Sequence, residues 1–269
     1  MDWHRLESQT FWCVFCSAFL LTAMWETRHR NREWLIPTGK RWTNHFLLYF
    51  ASSLWRMMIA LMSPVTAALV AQQSGWGLFH QVRTPNWLAF VVTLLALDLT
   101  KYGMHRLFHA LPFLWPIHRV HHSDPDFDVT PSVRFHPLES FLMQSADVGM
   151  ILILGAPAAG VFAAGVLSNL VNVTQHANAD LPEAVETRLR PLVLTARMHR
   201  IHHSDSWQDE HRNFGEVFPW WDGLFGTYTR VPERGAQMRV GLEGYQDERS
   251  MGLLEMLLQP LHAARRPQG

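Results

Sequence analysis

The chain has 269 residues, with 23 basic and 23 acidic side chains and a formal net charge of zero at pH 7. This balance excludes the basic surface of a nucleic-acid-binding protein, and two cysteines are too few for a disulfide framework. A hydrophobic share of 48%, with 12 tryptophans, favours a membrane protein that also carries a polar, histidine-rich part.

Three apolar stretches precede the histidine-rich part and predict membrane helices. The first covers residues 11–25 and is flanked by charges. The second covers residues 46–71, where Pro64 predicts a kink. The third begins over residues 87–99, and the helix is expected to continue to His109 because no proline intervenes.

Residues 140–172 form the last long apolar stretch, which Gly155 and Pro157 divide. Each half has about 15 residues, or about 22 Å of helix, and is short of a hydrocarbon core about 30 Å thick. We therefore expect a shallow helical hairpin that enters and leaves on one side. His136 and His176 flank the stretch and would then lie on the same side.

The basic residues of the loops predict the orientation in the membrane. The loop after the first span carries five of them: Arg28, Arg30, Arg32, Lys40 and Arg41. The loop over residues 72–86 carries only Arg83, which places the first loop in the cytoplasm. The segments 112–139 and 173–235 are then also cytoplasmic, and the apolar segment 251–262 predicts an amphipathic helix that lies on or docks against the surface.

Histidines form the strongest pattern in the sequence. The heptapeptide HRVHHSD at residues 118–124 recurs as HRIHHSD at residues 199–205. In each copy the histidines lie at i, i+3 and i+4, so they share one helix face. A pair spaced i, i+4 precedes the first copy, and two single histidines lie near the hairpin. The candidate metal ligands are ten residues: His105, His109, His118, His121, His122, His136, His176, His199, His202 and His203.

Ten imidazoles predict a site for two metal ions, because one ion takes roughly four to six ligands. Imidazole suits iron, zinc, copper and nickel. The neighbouring Ser123, Asp124, Ser204 and Asp205 are expected to fix the histidine tautomers. A membrane zinc hydrolase remains an alternative, although it needs only three ligands and usually an H-E-x-x-H glutamate, which the sequence lacks. A non-enzymatic metal-binding membrane protein is the second alternative.

The chain resembles the fatty acid hydroxylase superfamily, often called the sterol desaturase family, and its layout is most similar to bacterial members. The matching segments and those between them cover about half of the chain. They are HRLFH (105–109), HRVHHSD (118–124), RFHPLE (134–139), QHAN (175–178), MHRIHHSD (198–205), NFG (213–215) and WWDGLFGTY (220–228).

The resemblance implies one all-α integral membrane domain over residues 1–269, with a cytoplasmic His-rich helical cap that holds a di-metal site. Its expected parts are membrane helices over 1–99, a catalytic region over 100–235 and a C-terminal tail over 236–269. A bacterial inner membrane is the expected location.

The implied activity is that of a non-haem di-iron oxygenase. It would use O2 and electrons from an external reductase or carrier protein. It would hydroxylate or desaturate an unactivated C–H bond of a fatty acyl, sterol, alkylglycerol or isoprenoid lipid taken from the bilayer.

The resemblance also bears on single residues. The eight histidines of the three boxes and His176 match ligand positions of the family, whereas His136 matches only in the sterol-type branch. His211 stands where the family often has an acidic residue, and we expect a neutral replacement rather than a further ligand.

Five other polar residues near the boxes carry expectations. Asp98 shares a helix face with His105. It is expected to be either a hydrogen-bond acceptor for that histidine or an ordinary polar residue near the membrane boundary. Asp222 is expected to fix a turn. Arg119 and Arg200, like Arg106, follow box histidines and are expected on a solvated face, with an acidic donor protein or lipid headgroups as alternative partners.

Overall fold

The computed structural model describes residues 3–57 and 63–262, and in that part the chain is all-helical without a β-strand. We number its α-helices in chain order. They are α1 (Trp3–Arg28), α2 (Thr38–Met57), α3 (Pro64–Ser74), α4 (Leu78–Gln81), α5 (Asn86–Ala110), α6 (Trp115–His122), α7 (Pro137–Leu154), α8 (Ala158–Gln175), α9 (Glu183–Leu189), α10 (Ala196–His202), α11 (Trp207–Glu210), α12 (Trp220–Phe225) and α13 (Leu253–Leu258).

Four helices are long and apolar enough to cross a membrane, which makes the chain an integral membrane protein by length and composition. These segments are Arg5–Arg28, Asn86–Ala110, Pro137–Leu154 and Ala158–Gln175. α1 packs along α8, and α5 packs against both α7 and α8. The predicted first and third spans are confirmed, including the continuation of the third past His109.

The second predicted span differs from the structure. α2 begins at Thr38, eight residues before the predicted start, and α3 begins at Pro64, where Ser63 caps the helix. Pro64, where the kink was expected, is the first residue of α3, and residues 58–62 before it lie outside the described part of the chain. Taken singly and within the described residues, neither α2 nor α3 is both long and apolar enough to span a membrane. The helix α3 has only 11 residues, and α2 carries polar residues that enter the histidine-rich part.

The hairpin of α7 and α8 is present, but its arms are longer than predicted. Each arm has 18 residues, or about 27 Å of helix, close to the thickness of a hydrocarbon core. Gly155 ends α7 in the left-handed conformation with a φ of 64°. The two arms pack against other helices rather than against each other: α7 packs on α5, α2 and α3, and α8 packs on α1, α5 and α3. A cavity of about 360 Å³ lies between the arms.

Buried charge joins α2 to the segment after α6. Arg41 is fully buried, and its guanidinium donates to Asp124 Oδ2 at 2.8 Å and also to Asp128. Asp126 accepts from the backbone N–H groups of Leu35 and Ile36. Arg41, which the sequence analysis counted among the loop charges, instead lies in α2 and is buried, because three carboxylates beyond residue 120 surround it.

The C-terminal helix docks against the rest of the chain. α13 packs on α2, and Met256 contacts Leu48 and Val120 in one buried cluster. The helix covers six residues of the predicted segment 251–262. Of the two expectations, docking is confirmed.

Candidate metal centre

Nine of the ten predicted histidines converge into two buried groups. The first group contains His105, His109, His118, His122 and His202, and the second contains His121, His176, His199 and His203. Within each group the nearest ring nitrogens all lie within 4.8 Å of one another. The segments that supply them are α5, α6, the end of α8 and α10.

The repeated heptapeptide serves both groups in a reciprocal way. On α6, His118 and His122 enter the first group and His121 enters the second. On α10 the assignment is reversed, because the i and i+4 histidines enter the second group and His202 enters the first. Residues at i and i+4 lie about 40° apart around a helix, and i+3 lies on the other side of i. One helix face can therefore divide its ligands between two neighbouring ions.

Within each group, pairs of Nε2 atoms face each other at close range. In the first group, His105 Nε2 lies 2.9 Å from His202 Nε2, and His118 Nε2 lies 3.1 Å from His122 Nε2. In the second group the Nε2 pairs are 3.3 Å apart for His121–His176, 3.0 Å for His176–His199 and 3.1 Å for His199–His203. Two imidazoles that bind one ion at about 2.1 Å and at a right angle have nitrogens about 3.0 Å apart. The residues therefore fit a metal ion in each group.

The outward nitrogens of four histidines have acceptors that fix the tautomer. Nδ1 of His118 lies 2.6 Å from Glu139 Oε1. The Nδ1 atoms of His105, His176 and His202 lie 2.6–2.9 Å from the carbonyl oxygens of Phe214, Asn172 and Arg212. With Nδ1 donating its proton, the Nε2 lone pair of each ring is directed to the centre of its group.

These acceptors are not the residues that the sequence predicted. Asp124 binds Arg41, and Asp205 pairs with Arg234 and Arg239. Ser123 donates to Val120 O and Ser204 accepts from the N–H of Ser206. The heptapeptide serines and aspartates thus anchor the turn after each helix. The prediction missed Glu139, although this residue lies in the segment RFHPLE. Its partner His118 is 21 residues away in the chain, so no local sequence pattern indicates the contact.

Burial keeps the histidines outside the membrane helices neutral. It lowers the pKa of His118 to about 3 and the pKa of His176 to about 4. Burial, with repulsion from neighbouring histidines, also lowers the pKa of five others well below the ordinary value: His121, His122, His199, His202 and His203. The neutral imidazole is the form that binds a metal.

His109 has no hydrogen-bond partner for either ring nitrogen within the described residues, although it is buried. Its Nδ1 lies 3.5 Å from Glu210 Oε1. A buried imidazole without partners is costly, and a metal ion in the first group would supply the missing contact.

Of the histidines considered for the site, His136 and His211 stay outside both groups. His136 caps α7: its Nδ1 accepts from the N–H of Leu138, and its Nε2 lies 3.3 Å from Leu257 O. The structure therefore does not bring this tenth candidate to a metal position. The His211 ring stacks on Trp207 at 4.3 Å, and its centroid is 5.6 Å from that of His109.

Asp98 and Asp222 support the segment behind His105. Asp98 accepts from the N–H groups of Val217 and Phe218 and from the Trp221 indole. It does not contact His105, so a direct acceptor role is wrong. Asp222 accepts from the N–H groups of Phe214 and Gly215, which confirms that it fixes a turn.

Two of the three box arginines are buried, contrary to the expectation of a solvated face. Arg119 donates to Gln259 O at 2.7 Å, and Arg200 pairs with Asp180 at 3.0 Å. Arg106 alone of the three is exposed. Arg119 thereby joins α6 to the C-terminal tail, and Arg200 joins α10 to the segment after α8.

The cavity between α7 and α8 adjoins both groups of histidines. Phe135 lines it and stacks on His121 with ring centroids 4.5 Å apart. Glu139 lines it and binds His118. A molecule in the cavity would therefore lie next to the proposed metal positions.

Comparison with known proteins gives one family and several relatives. The fatty acid hydroxylase family model matches residues 90–227, just over half of the chain. The ornithine lipid hydroxylase OlsE of Rhizobium tropici is 27% identical over 268 residues, which cover 95% of this chain and 77% of that protein.

Two further relatives match a shorter region. Alkylglycerol monooxygenase of Danio rerio is 29% identical over 163 residues, which cover 57% of this chain and 34% of that protein. Methylsterol monooxygenase 1 of Gallus gallus is 27% identical over 130 residues, or 48% of this chain and 42% of that protein. The chain thus spans less than half the length of these two relatives. No solved structure matches.

Proposed function

The chain belongs to the fatty acid hydroxylase family, and from that premise we propose that it is a di-iron oxygenase that hydroxylates an unactivated C–H bond of a membrane lipid. The observation that carries the proposal is the pair of buried histidine groups with facing Nε2 atoms. The names of the three relatives, two monooxygenases and a hydroxylase, favour hydroxylation over desaturation.

The donor set supports iron over a catalytic zinc site. Catalytic zinc usually has three protein ligands and an open position, whereas the two groups offer five and four imidazoles. When bound, two iron ions supply O2 activation with two electrons from an external reductase or carrier protein.

The residues of the chain provide position and exclusion of water. Glu139 and three backbone carbonyl groups hold the ring tautomers, and the buried surroundings keep the imidazoles neutral. Phe135 separates His121 from open space on the cavity side. The cavity would hold the substrate with the reacting carbon near the histidines.

The first test uses protein prepared without O2 from iron-replete cells. We expect about two iron ions per chain and a lipid product heavier by one oxygen atom, formed only with O2 and an electron donor. Activity that persists without O2, or zinc as the only bound metal, would contradict the proposal and favour the hydrolase.

Variants test the assignment of the two groups. His121→Ala and His202→Ala each remove one member of a group, so iron content should fall and turnover should drop more than about 100-fold, beyond the usual effect of an outer partner. His136→Asn is the matched control, because asparagine also caps a helix and His136 lies outside both groups. Full iron in His121→Ala would remove that residue from the site.

We also propose that the histidine-rich part faces the cytoplasm. The loop after α1 packs against it, since Asn31 donates from its N–H to Asn178 O at 2.9 Å. The basic loop and the histidines therefore share one face. Even when the buried Arg41 is left out, the loop after the first span has four basic residues, whereas the loop over residues 72–86 has only Arg83.

Cysteine labelling in cells tests this orientation. In a chain with Cys13→Ser and Cys16→Ser, Ser74→Cys should react with an impermeant reagent in intact cells. Ala184→Cys, an exposed position on α9, should react only after the membrane is opened. The reverse pattern would overturn the proposed orientation.

A further inference from the structure

The cavity between α7 and α8 is lined by charge as well as by apolar side chains. Glu139 and Asp147 project from α7, Glu216 lies on the segment after α11, and Lys101 comes from α5. Glu7 of α1 lines it as well. Among these five charged lining residues, four carboxyl groups stand against one ammonium group.

Two of the carboxylates have an oxygen without a partner. Asp147 Oδ2 accepts from Lys101 Nζ at 2.8 Å, whereas Asp147 Oδ1 has no hydrogen-bond partner within the described residues. Glu139 Oε1 lies 2.6 Å from His118 Nδ1, and Glu139 Oε2 is likewise unpartnered. Both residues are buried, at 8% and 2% exposure. Unmet acceptors at such depth are costly and call for a donor.

Glu216 belongs to the same charge cluster as Asp147. It accepts a hydrogen bond from Ser168 at 2.8 Å and forms no ion pair shorter than 4 Å within the described residues. Burial raises the pKa of Glu216, Asp98 and Asp147 raise it further by repulsion, and Lys101 opposes the rise by attraction. A second cation beside Asp147 and Glu216 would therefore stabilise both carboxylates.

We propose that this cavity selects a lipid that carries a protonated amine. The ammonium group would donate to Asp147 Oδ1 and to Glu216, and a neutral donor of the same lipid, such as an amide N–H, would reach Glu139 Oε2. The inference rests on the proposed function, whose substrate class it narrows. A volume of about 360 Å³ is at the small end of ligand sites and holds part of a lipid rather than all of it.

Binding to metal-free protein tests this inference apart from catalysis. The probe is hexadecanoic acid amide-linked to 1,3-diaminopropane, and its N-acetylated analogue lacks the charge. Native mass spectrometry in detergent reports the bound fraction. We expect the free amine to bind at least about 10-fold more tightly, or about 1.4 kcal/mol. Equal binding of the two probes would overturn the inference.

Variants assign the preference to the cluster. Asp147→Asn should bring the ratio of affinities close to one. Because this change also leaves Lys101 unpaired, Glu216→Gln is the second variant, which keeps the Lys101–Asp147 pair and should reduce the ratio. Glu243→Gln, an exposed carboxylate, is the control and should keep the full preference. A full preference in both cavity variants would contradict the assignment.

The two proposals fail separately. Amine-selective binding without any O2-dependent product would support the cavity inference and reject the oxygenase. Oxidation of uncharged lipids with no gain from an amine would support the oxygenase and reject the inference.

Discussion

Asp98 acts on the proposed metal centre through the backbone of another segment. Its carboxylate holds the N–H groups of Val217 and Phe218, and the same segment presents the Phe214 carbonyl to His105. The sequence placed Asp98 and His105 on one face of α5. Seven residues of helix separate them by about 10 Å, which is too far for contact.

We expect Asp98→Ala to cost on the order of 3 kcal/mol, because it leaves three donors without their charged acceptor. The first group should also lose iron, since the Phe214 carbonyl is no longer held. Thermal unfolding and iron per chain measure the two effects. Glu243→Gln serves as the control, and an unchanged melting temperature in Asp98→Ala would refute this role.

Among the histidines, the pattern found the set but not each role. The i, i+3, i+4 spacing predicted convergence, and nine residues do converge. His136 was included because it flanks the hairpin, yet it caps α7. A histidine just before a helix can serve either as an N-cap or as a metal ligand, and the local sequence is the same in both cases. Only distant segments decide between them.

At the scale of elements, length and apolar composition located the membrane helices α1 and α5. The same criteria failed for α2, whose first half is polar and includes the buried residues Arg41 and His45. The partners of Arg41 lie 83–87 residues away in the chain, so no local pattern reveals that burial. The hairpin arms were underestimated for a related reason. The helices extend to Pro137 and Gln175, beyond the predicted stretch, and the added turns carry the buried polar residues Glu139 and Gln175.

The turn of the hairpin makes a testable demand on glycine. A Cβ added to Gly155 would lie 2.3 Å from Trp76 O, and its φ of +64° disfavours other residues. We expect Gly155→Ala to cost at least about 2 kcal/mol and lower the melting temperature by about 5 °C or more.

Gly149 provides the matched control on the same helix. A Cβ there meets no atom within 4 Å, so Gly149→Ala should be neutral or stabilise α7 by up to about 1 kcal/mol. Equal melting temperatures for the two variants would show that the close approach to Trp76 is unimportant.

At the scale of the whole molecule, many imidazoles share one buried volume, and this makes the metal-free protein sensitive to acid. Folding lowers the pKa of His118 to about 3 and of His176 to about 4, below their ordinary value of 6.5. The unfolded chain therefore takes up protons first as the pH falls. Stability is complete above about pH 6.5 and is lost as the pH drops toward 4.

We expect the melting temperature of metal-free protein in detergent to fall by at least about 10 °C between pH 7 and pH 5. Iron-loaded protein should change less over that range, because protons must then displace the metal. Parallel melting curves of both forms measure the difference. A flat profile for the metal-free form would contradict the neutral, buried state of the imidazoles.

The reciprocal use of the two heptapeptides has a consequence for biosynthesis. Four histidines of the first group have been translated once His122 has been added, and only His202 is still missing. The second group then has His121 alone, and three of its members come after residue 175. The first group is therefore nearly complete early in translation, but both groups are completed only when His202 and His203 have been added.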